Sequence, residues 1–289
     1  MKLFRDSRFL IIASMAIFGT LAPFVRAIGV SSGELALYRA VIASIMIGLF
    51  LVITRQKIPF AKIKKEAILL VFSGFAMGMN WVLLFEAYKY TTVSAATLSY
   101  YFAPVIVMAV STLFFGEKSG IKQVVCFVMS TLGIILITGL DLSRGTSHFI
   151  GIALGLGAAV LYATVVLLNK FIKNVQGIHR TFLQFIAAII VLIPYVLLTD
   201  GFNLSALGGM GWTCLMTVGI LHTGITYCMY FSALKNLSGQ KAAILSYIDP
   251  LVAVVISVTL LGEPLTLTQA LGGILILGFT LYNELGTNK

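Results

Sequence analysis

Charge is scarce in this chain. Only 10% of its residues are Asp, Glu, Lys or Arg, against about 25% in an ordinary globular domain. Acidic residues number ten among 289, too few for a water-facing surface of mixed charge. Cysteine is scarce as well. Cys126, Cys214 and Cys228 lie inside apolar runs and show no metal-ligand spacing; the odd count implies no disulfide framework. The motifs His-Glu-x-x-His, Gly-x-Ser-x-Gly and the P-loop are missing, which argues against the hydrolases they mark and against direct ATP coupling. No filter-like segment or ring of charge suggests a channel. Intramembrane aspartate chemistry would need a second carboxylate to join Asp249, and none is evident. No enzyme, metal site or cofactor is therefore expected.

What the chain has instead is apolar length. Apolar residues make up 59%, in runs of about 20, the length of a membrane-crossing helix. Ten spans are predicted, at about 9–28, 34–54, 67–88, 93–115, 121–140, 149–171, 180–199, 211–234, 241–261 and 267–285. A barrel would alternate apolar and polar positions, so the fold class is an all-α membrane protein. The net charge of +10 would suggest nucleic acid in a soluble protein. Here the basic residues gather in loops on one side, so no nucleic acid is expected. Lys2, Arg5 and Arg8 before an apolar stretch could imitate a signal peptide, but the stretch is too long, and an equivalent helix opens the second half.

The second half repeats the first. A shift of 146 positions sets Pro104 on Pro250, Gly116-Glu117 on Gly262-Glu263, Ala87 on Ala233, Tyr101 on Tyr247, Ser111 on Ser257 and Gln123 on Gln269. The two units are residues 1–145 and 146–289. Orientation follows from Lys and Arg. With the N-terminus inside, sixteen basic residues lie in inner segments and only Arg26, Lys89 and Arg144 in outer loops. Five helices per unit is an odd number. The second unit therefore starts from the opposite side, and the two five-helix repeats are inverted.

Few polar residues fall at membrane depth, and these are the candidate substrate-binding groups. Arg39 in helix 2 is costly there; it is either an anchor or packing ion, or a residue that meets an anionic group. Asp249 precedes Pro250 and has Ala103 as its repeat partner; it binds a proton or an ammonium group, or caps amides freed by the kink. His222, Thr226 and Tyr230 share a helix face. Asn80, beside Trp81, aligns with Thr226. Tyr100, Tyr101 and Tyr247 precede the paired prolines and could stack on a substrate or cation. Pro104 and Pro250 are expected to kink their helices and act as hinges. Glu86 with Lys89 suits a local pair. Gly74/Gly78 and Gly151/Gly155 allow close helix contact. Both Gly-Glu pairs read as loop or gating elements.

The stretch from Ala87-Tyr88-Lys89-Tyr90 through Pro104 to Gly116-Glu117, its copy from Ala233-Leu234-Lys235 through Pro250 to Gly262-Glu263-Pro264-Leu265, and Tyr38-Arg39-Ala40 in helix 2 together resemble the drug/metabolite transporter superfamily, in its EamA-type branch. The resemblance covers nearly the whole chain. It implies ten helices in a five-plus-five inverted repeat, a central cavity, peripheral helices 5 and 10, and alternating access. It implies transport of small metabolites, often amino acids and related compounds, often outward, with Arg39 at the cavity or gate. The expected function is a secondary transporter, an exporter in the cytoplasmic membrane with both termini cytoplasmic. Its expected partners are a small-molecule substrate, the lipid bilayer and, if transport is coupled, protons on Asp249 or Glu86. A flippase for a lipid or lipid-linked substrate is the alternative on the same fold.

Overall fold

The computed structural model describes residues 7–56, 63–115, 120–138, 145–175, 177–234, 237, 242 and 245–285. The Gly116-Glu117 turn and the basic residues Lys2, Arg5, Lys57, Lys62, Lys118, Arg144, Lys235, Lys241 and Lys289 lie outside them. Among the described residues there is no strand. The helices are α1 (Ser7–Gly19), α2 (Leu21–Ala27), α3 (Ser32–Ile53), α4 (Ala67–Tyr90), α5 (Val93–Tyr100), α6 (Ala103–Phe115), α7 (Ile121–Thr138), α8 (Gly145–Asn169), α9 (Gly177–Leu198), α10 (Gly209–Thr217), α11 (Thr226–Leu234), α12 (Ile248–Thr259) and α13 (Leu267–Leu285). A π-helical segment, Val218–Ile225, joins α10 to α11.

Among the described residues, seven stretches are long and apolar enough to cross a membrane. They are Ser7–Ala27, Ser32–Ile53, Ala67–Tyr90, Val93–Phe114, Gly145–Asn169, Gly177–Leu198 and Gly209–Leu234. Ile121–Ile137, Ile248–Thr259 and Leu267–Asn283 are apolar but shorter. Ile45, Phe72, Ile190 and Leu251 remain exposed on outer faces, where lipid replaces water as their surroundings.

Sequence chemistry explains the helix ends. Ser31 and Glu34 form a reciprocal capping box at the start of α3, and the Thr92 side chain accepts from Ala95 N at the start of α5, so amides without helical partners are satisfied. Three predicted helices are interrupted. The first breaks at Thr20, three residues before Pro23; the fourth at Tyr101 and Phe102, before Pro104; the ninth turns at Tyr247, before Pro250. In each case proline withholds the N–H that would have closed the preceding turn. The breaks at Tyr101 and Tyr247 fall on the same position of the repeat.

Several helix contacts recur in both halves. The contact of α4 with α8 has its counterpart in α1 and α2 against α11 and α10. That of α9 with α4 corresponds to α3 against the π segment, and that of α5 and α6 with α8 to α12 against α1. Helices α3 with α9, α5 with α12 and α7 with α13 pair between the two halves. Arg26, at the end of α2, and His148, at the start of α8, both bond Thr91. The end of α2 and the start of α8 thus meet at one residue. Small residues allow the close crossings: a Cβ on Gly151 would lie 2.6 Å from Thr91 Cβ, and one on Gly272 would lie 2.5 Å from the Gly133 carbonyl oxygen, the small-residue packing expected in lipid.

Glu66 ties the start of α4 to the α8–α9 loop. Its carboxylate accepts from Lys173 N at 2.7 Å, Asn174 N at 3.0 Å and Asn174 Nδ2 at 2.9 Å. Burial pushes its pKa up, but these donors outweigh that and hold it below the ordinary carboxylate value. A depressed carboxylate stabilises the fold fully above the unfolded-state pKa and loses that contribution as pH falls through the folded one. Glu66→Gln is expected to destabilise by about 1–3 kcal/mol at neutral pH, with the gap to wild type closing in acid. Thermal unfolding at several pH values measures this; a gap constant with pH would refute it.

Candidate functional site

The candidate site lies where the helix breaks meet. Arg39 on α3 is the central group, only 4% exposed. It does not snorkel to an end of the bundle. Its Nε donates to Thr223 Oγ1 at 2.7 Å, and its guanidinium carbon sits 4.8 Å from the Trp81 ring centroid and 5.5 Å from that of Phe85. Among the described residues no carboxylate lies within 4.0 Å of it. A buried cation held by one hydroxyl and two aromatic faces is stabilised by cation–π attraction but lacks a counter-ion.

The π segment places that hydroxyl. Thr223 and Thr226 donate to the carbonyls five residues back, Val218 and Leu221, at 2.8 and 2.6 Å. Gly219 and Gly224 let α3 approach: a Cβ at either would lie 2.7 Å from Ile42 or Met46. The widened turn thus brings Thr223 to Arg39, and π-bulges often occur at functional positions.

Asp249, at the start of α12, is half-buried and accepts from Tyr101 Oη at 2.6 Å. Arg39 and Asp249 form no ion pair within 4.0 Å. Aromatic rings connect the two poles. Trp81 meets Phe185 at 5.1 Å, Phe185 meets Tyr227 at 5.3 Å, and Tyr227 meets Phe18 at 5.3 Å. On the other wall Tyr100 lies 5.7 Å from Tyr101 and 5.5 Å from Tyr162.

The remaining predicted residues divide. His222 is buried and bridges the first helix break to the π segment, with Nε2 3.1 Å from Thr20 Oγ1 and Nδ1 3.3 Å from the Thr217 carbonyl oxygen. Asn80 is buried in the contact of α4 with α8, where its Nδ2 donates to the Ala158 carbonyl at 2.6 Å. Thr226 is turned onto its own backbone. Trp81 is the floor beneath Arg39. Tyr247 marks the helix break, half-buried. His222, Thr226 and Tyr230 do not form one free polar stripe, because the π turn changes the helix register. Tyr88, Tyr162 and Tyr227 were not singled out from the sequence. The repeat could have found Tyr227, since it falls on Trp81.

The two ends of the bundle differ. At one end Glu263 accepts from Arg26, from Ser257 Oγ and from Val93 N, the last at 2.8 Å. Arg26 also donates to the Tyr88 carbonyl at 3.1 and 2.8 Å and to that of Thr91 at 2.9 Å. This latch joins α2, α4, α5 and the turn before α13. A hollow of about 460 Å³ lies beside it, floored by Phe85 and Tyr88. At the opposite end a cleft of about 740 Å³ opens among Gln56, Asn169, Lys170, Lys173, Arg180 and Phe231. It reaches toward the centre through Phe231, whose ring lies 6.1 Å from Tyr227. Lys89 pairs with Glu86 at 2.9 Å, and Ser32 donates to the same carboxylate at 2.5 Å, so Glu86 is a surface brace away from the centre.

Comparison with known proteins gives concordant results. The model of the EamA-like transporter family matches residues 7–139 and 149–283. The uncharacterized transporter YxxF of Bacillus subtilis (strain 168) is 32% identical over 267 residues, covering 92% of this chain and 85% of that protein. The uncharacterized transporter YdfC of the same organism is 28% identical over 267 residues, covering 90% and 84%. A solved crystal structure, described only as that of a protein, superimposes with a TM-score of 0.66 at 15% identity over 96% of both chains, a likeness of fold.

Proposed function

Because the chain belongs to the EamA-like transporter family, we propose that it is a secondary carrier of a small metabolite, such as an amino acid or a related amphipathic compound. It works as an exporter by alternating access across the cytoplasmic membrane. Ten spans form two inverted repeats, residues 1–145 and 146–289, with both termini cytoplasmic as the Lys and Arg bias requires. The latched end is then external and the basic cleft cytoplasmic. Pro104 and Pro250 serve as hinges beneath the breaks at Tyr101 and Tyr247.

One observation supports this above the others: a buried, carboxylate-free Arg39 stands between a latched end and an open end. Discontinuous helices meeting near the midplane of inverted repeats are the usual frame of a carrier site. Intramembrane charge without a fixed partner is kept where a ligand supplies the partner.

Purified protein in liposomes loaded with unlabelled amino acids should show saturable counterflow of the labelled compound. Flux that rises linearly with concentration, with no counterflow, would point to a channel and overturn the carrier mechanism.

A further inference from the structure

We propose that Asp249 and the tyrosines around it form a subsite for the ammonium group of a zwitterionic substrate, whose single anionic group meets Arg39. The proposal rests on the carrier reading and specifies what its site takes.

Asp249 has a tyrosine hydroxyl on one oxygen and no cation within 4.0 Å among the described residues. Its surroundings suit an ammonium group. Tyr101 bonds the Asp249 carboxylate directly, Tyr100 lies 5.7 Å from Tyr101, and Tyr162 lies 5.5 Å from Tyr100. Tyrosine offers an ammonium group either its negative ring face or its hydroxyl oxygen. Tyr162 is 43% exposed and Tyr100, Tyr101 and Tyr227 are half-buried, so these rings are not sealed in the core.

The repeat shows that the scaffold requires neither charge. The partner of Asp249 is Ala103, 2% exposed in α6. The partner of Arg39 is Phe185, which packs on Tyr227 at 5.3 Å much as Arg39 packs on Trp81, the repeat partner of Tyr227. One half thus carries a cation, and the other a carboxylate, where its twin is apolar. A zwitterion compensates both poles at once. A plain carboxylate leaves Asp249 unmatched, a plain amine leaves Arg39 unmatched, and a dianion brings excess negative charge toward Asp249.

Thermal stabilisation of the purified protein by matched compounds tests this. The panel is leucine and phenylalanine as zwitterions, leucinamide and phenethylamine as amines, isocaproate and 3-phenylpropionate as carboxylates, and succinate as a dianion. The zwitterions should stabilise most. Asp249→Asn keeps the size of the side chain and an acceptor for Tyr101; it should weaken zwitterion binding about 10- to 100-fold, while the matched carboxylates, freed of the Asp249 charge, should bind at least as tightly as to the wild type. Asp249→Glu should restore part of the affinity. Carboxylates or succinate ranking above the zwitterions, or unchanged zwitterion affinity in Asp249→Asn, would overturn the subsite. If Asp249→Asn does not purify as a single species, the wild-type ranking decides by the same criterion. Saturable counterflow with the wrong ranking defeats the subsite alone; absence of saturable counterflow for every compound defeats the carrier reading with it.

Discussion

Arg39→Ala is expected to cut transport by about 30-fold or more while leaving the fold at least as stable as before. The two effects separate because of where the residue sits. A guanidinium 4% exposed, with one hydroxyl and two aromatic rings as company, has given up most of its hydration without gaining a counter-ion. Removing such a charge relieves desolvation, and apolar replacements of buried ions are often neutral or stabilising. Thr223 is not left orphaned, since its hydroxyl keeps the Val218 carbonyl. The loss falls on the loaded state. Removing one member of a buried charge pair costs about 2–5 kcal/mol, so uptake efficiency should drop by about 30-fold or more. Arg39→Lys should recover little, because a point charge cannot match the planar fork that stacks on Trp81. Counterflow rate and thermal midpoint, measured on the same preparations, decide the matter. A variant that loses stability and activity together would show that Arg39 is a packing residue.

Sequence alone reveals much of this frame and less of the site. The repeat relation, Tyr101 on Tyr247 and Pro104 on Pro250, locates two helix breaks, because proline acts through its own missing N–H one turn earlier. Composition identifies Arg39 and Asp249 as costly residues. What surrounds them is set by contacts between distant segments. Thr223 reaches Arg39 only through a π turn that a simple period of apolar residues cannot announce. Asn80 looks like a cavity residue in sequence, yet the Ala158 carbonyl takes its amide. Arg26 counts merely as one of three outer charges until its partner, Glu263, appears 237 positions away.

That pairing leads to the second large effect. Glu263→Gln should release the latched end and shift the carrier toward a state open there. Glu263 holds three donors from three segments: Arg26, Ser257 and the backbone of Val93. Its side chain is 11% exposed, against 30% for Arg26, so solvent screens the contact only in part. Hydrogen bonds to a charged group contribute about 1.5–3 kcal/mol each, and a shift of about 1.4 kcal/mol already changes a two-state population tenfold. Glutamine keeps an acceptor but loses the charge that Arg26 requires. It is cleaner than Arg26→Ala, which would also strip the Tyr88 and Thr91 carbonyls of donors and fray the end of α4. Ser94, 1% exposed behind the latch and bonded through its N–H to Ser257, is a suitable reporter. With Cys126, Cys214 and Cys228 replaced by alanine, Ser94→Cys should react slowly with an impermeant maleimide and about tenfold faster once Glu263→Gln is added. On the proposed alternating-access mechanism, the same variant should narrow the cleft at the opposite end, since both ends cannot open around one site. A cysteine at Phe231, which lines that cleft, should then become less reactive. If Ser94→Cys reacts equally fast with and without Glu263→Gln, the contact is a surface brace and the gate lies elsewhere. If both positions become more reactive together, Glu263 holds the bundle shut as a whole rather than choosing which end opens.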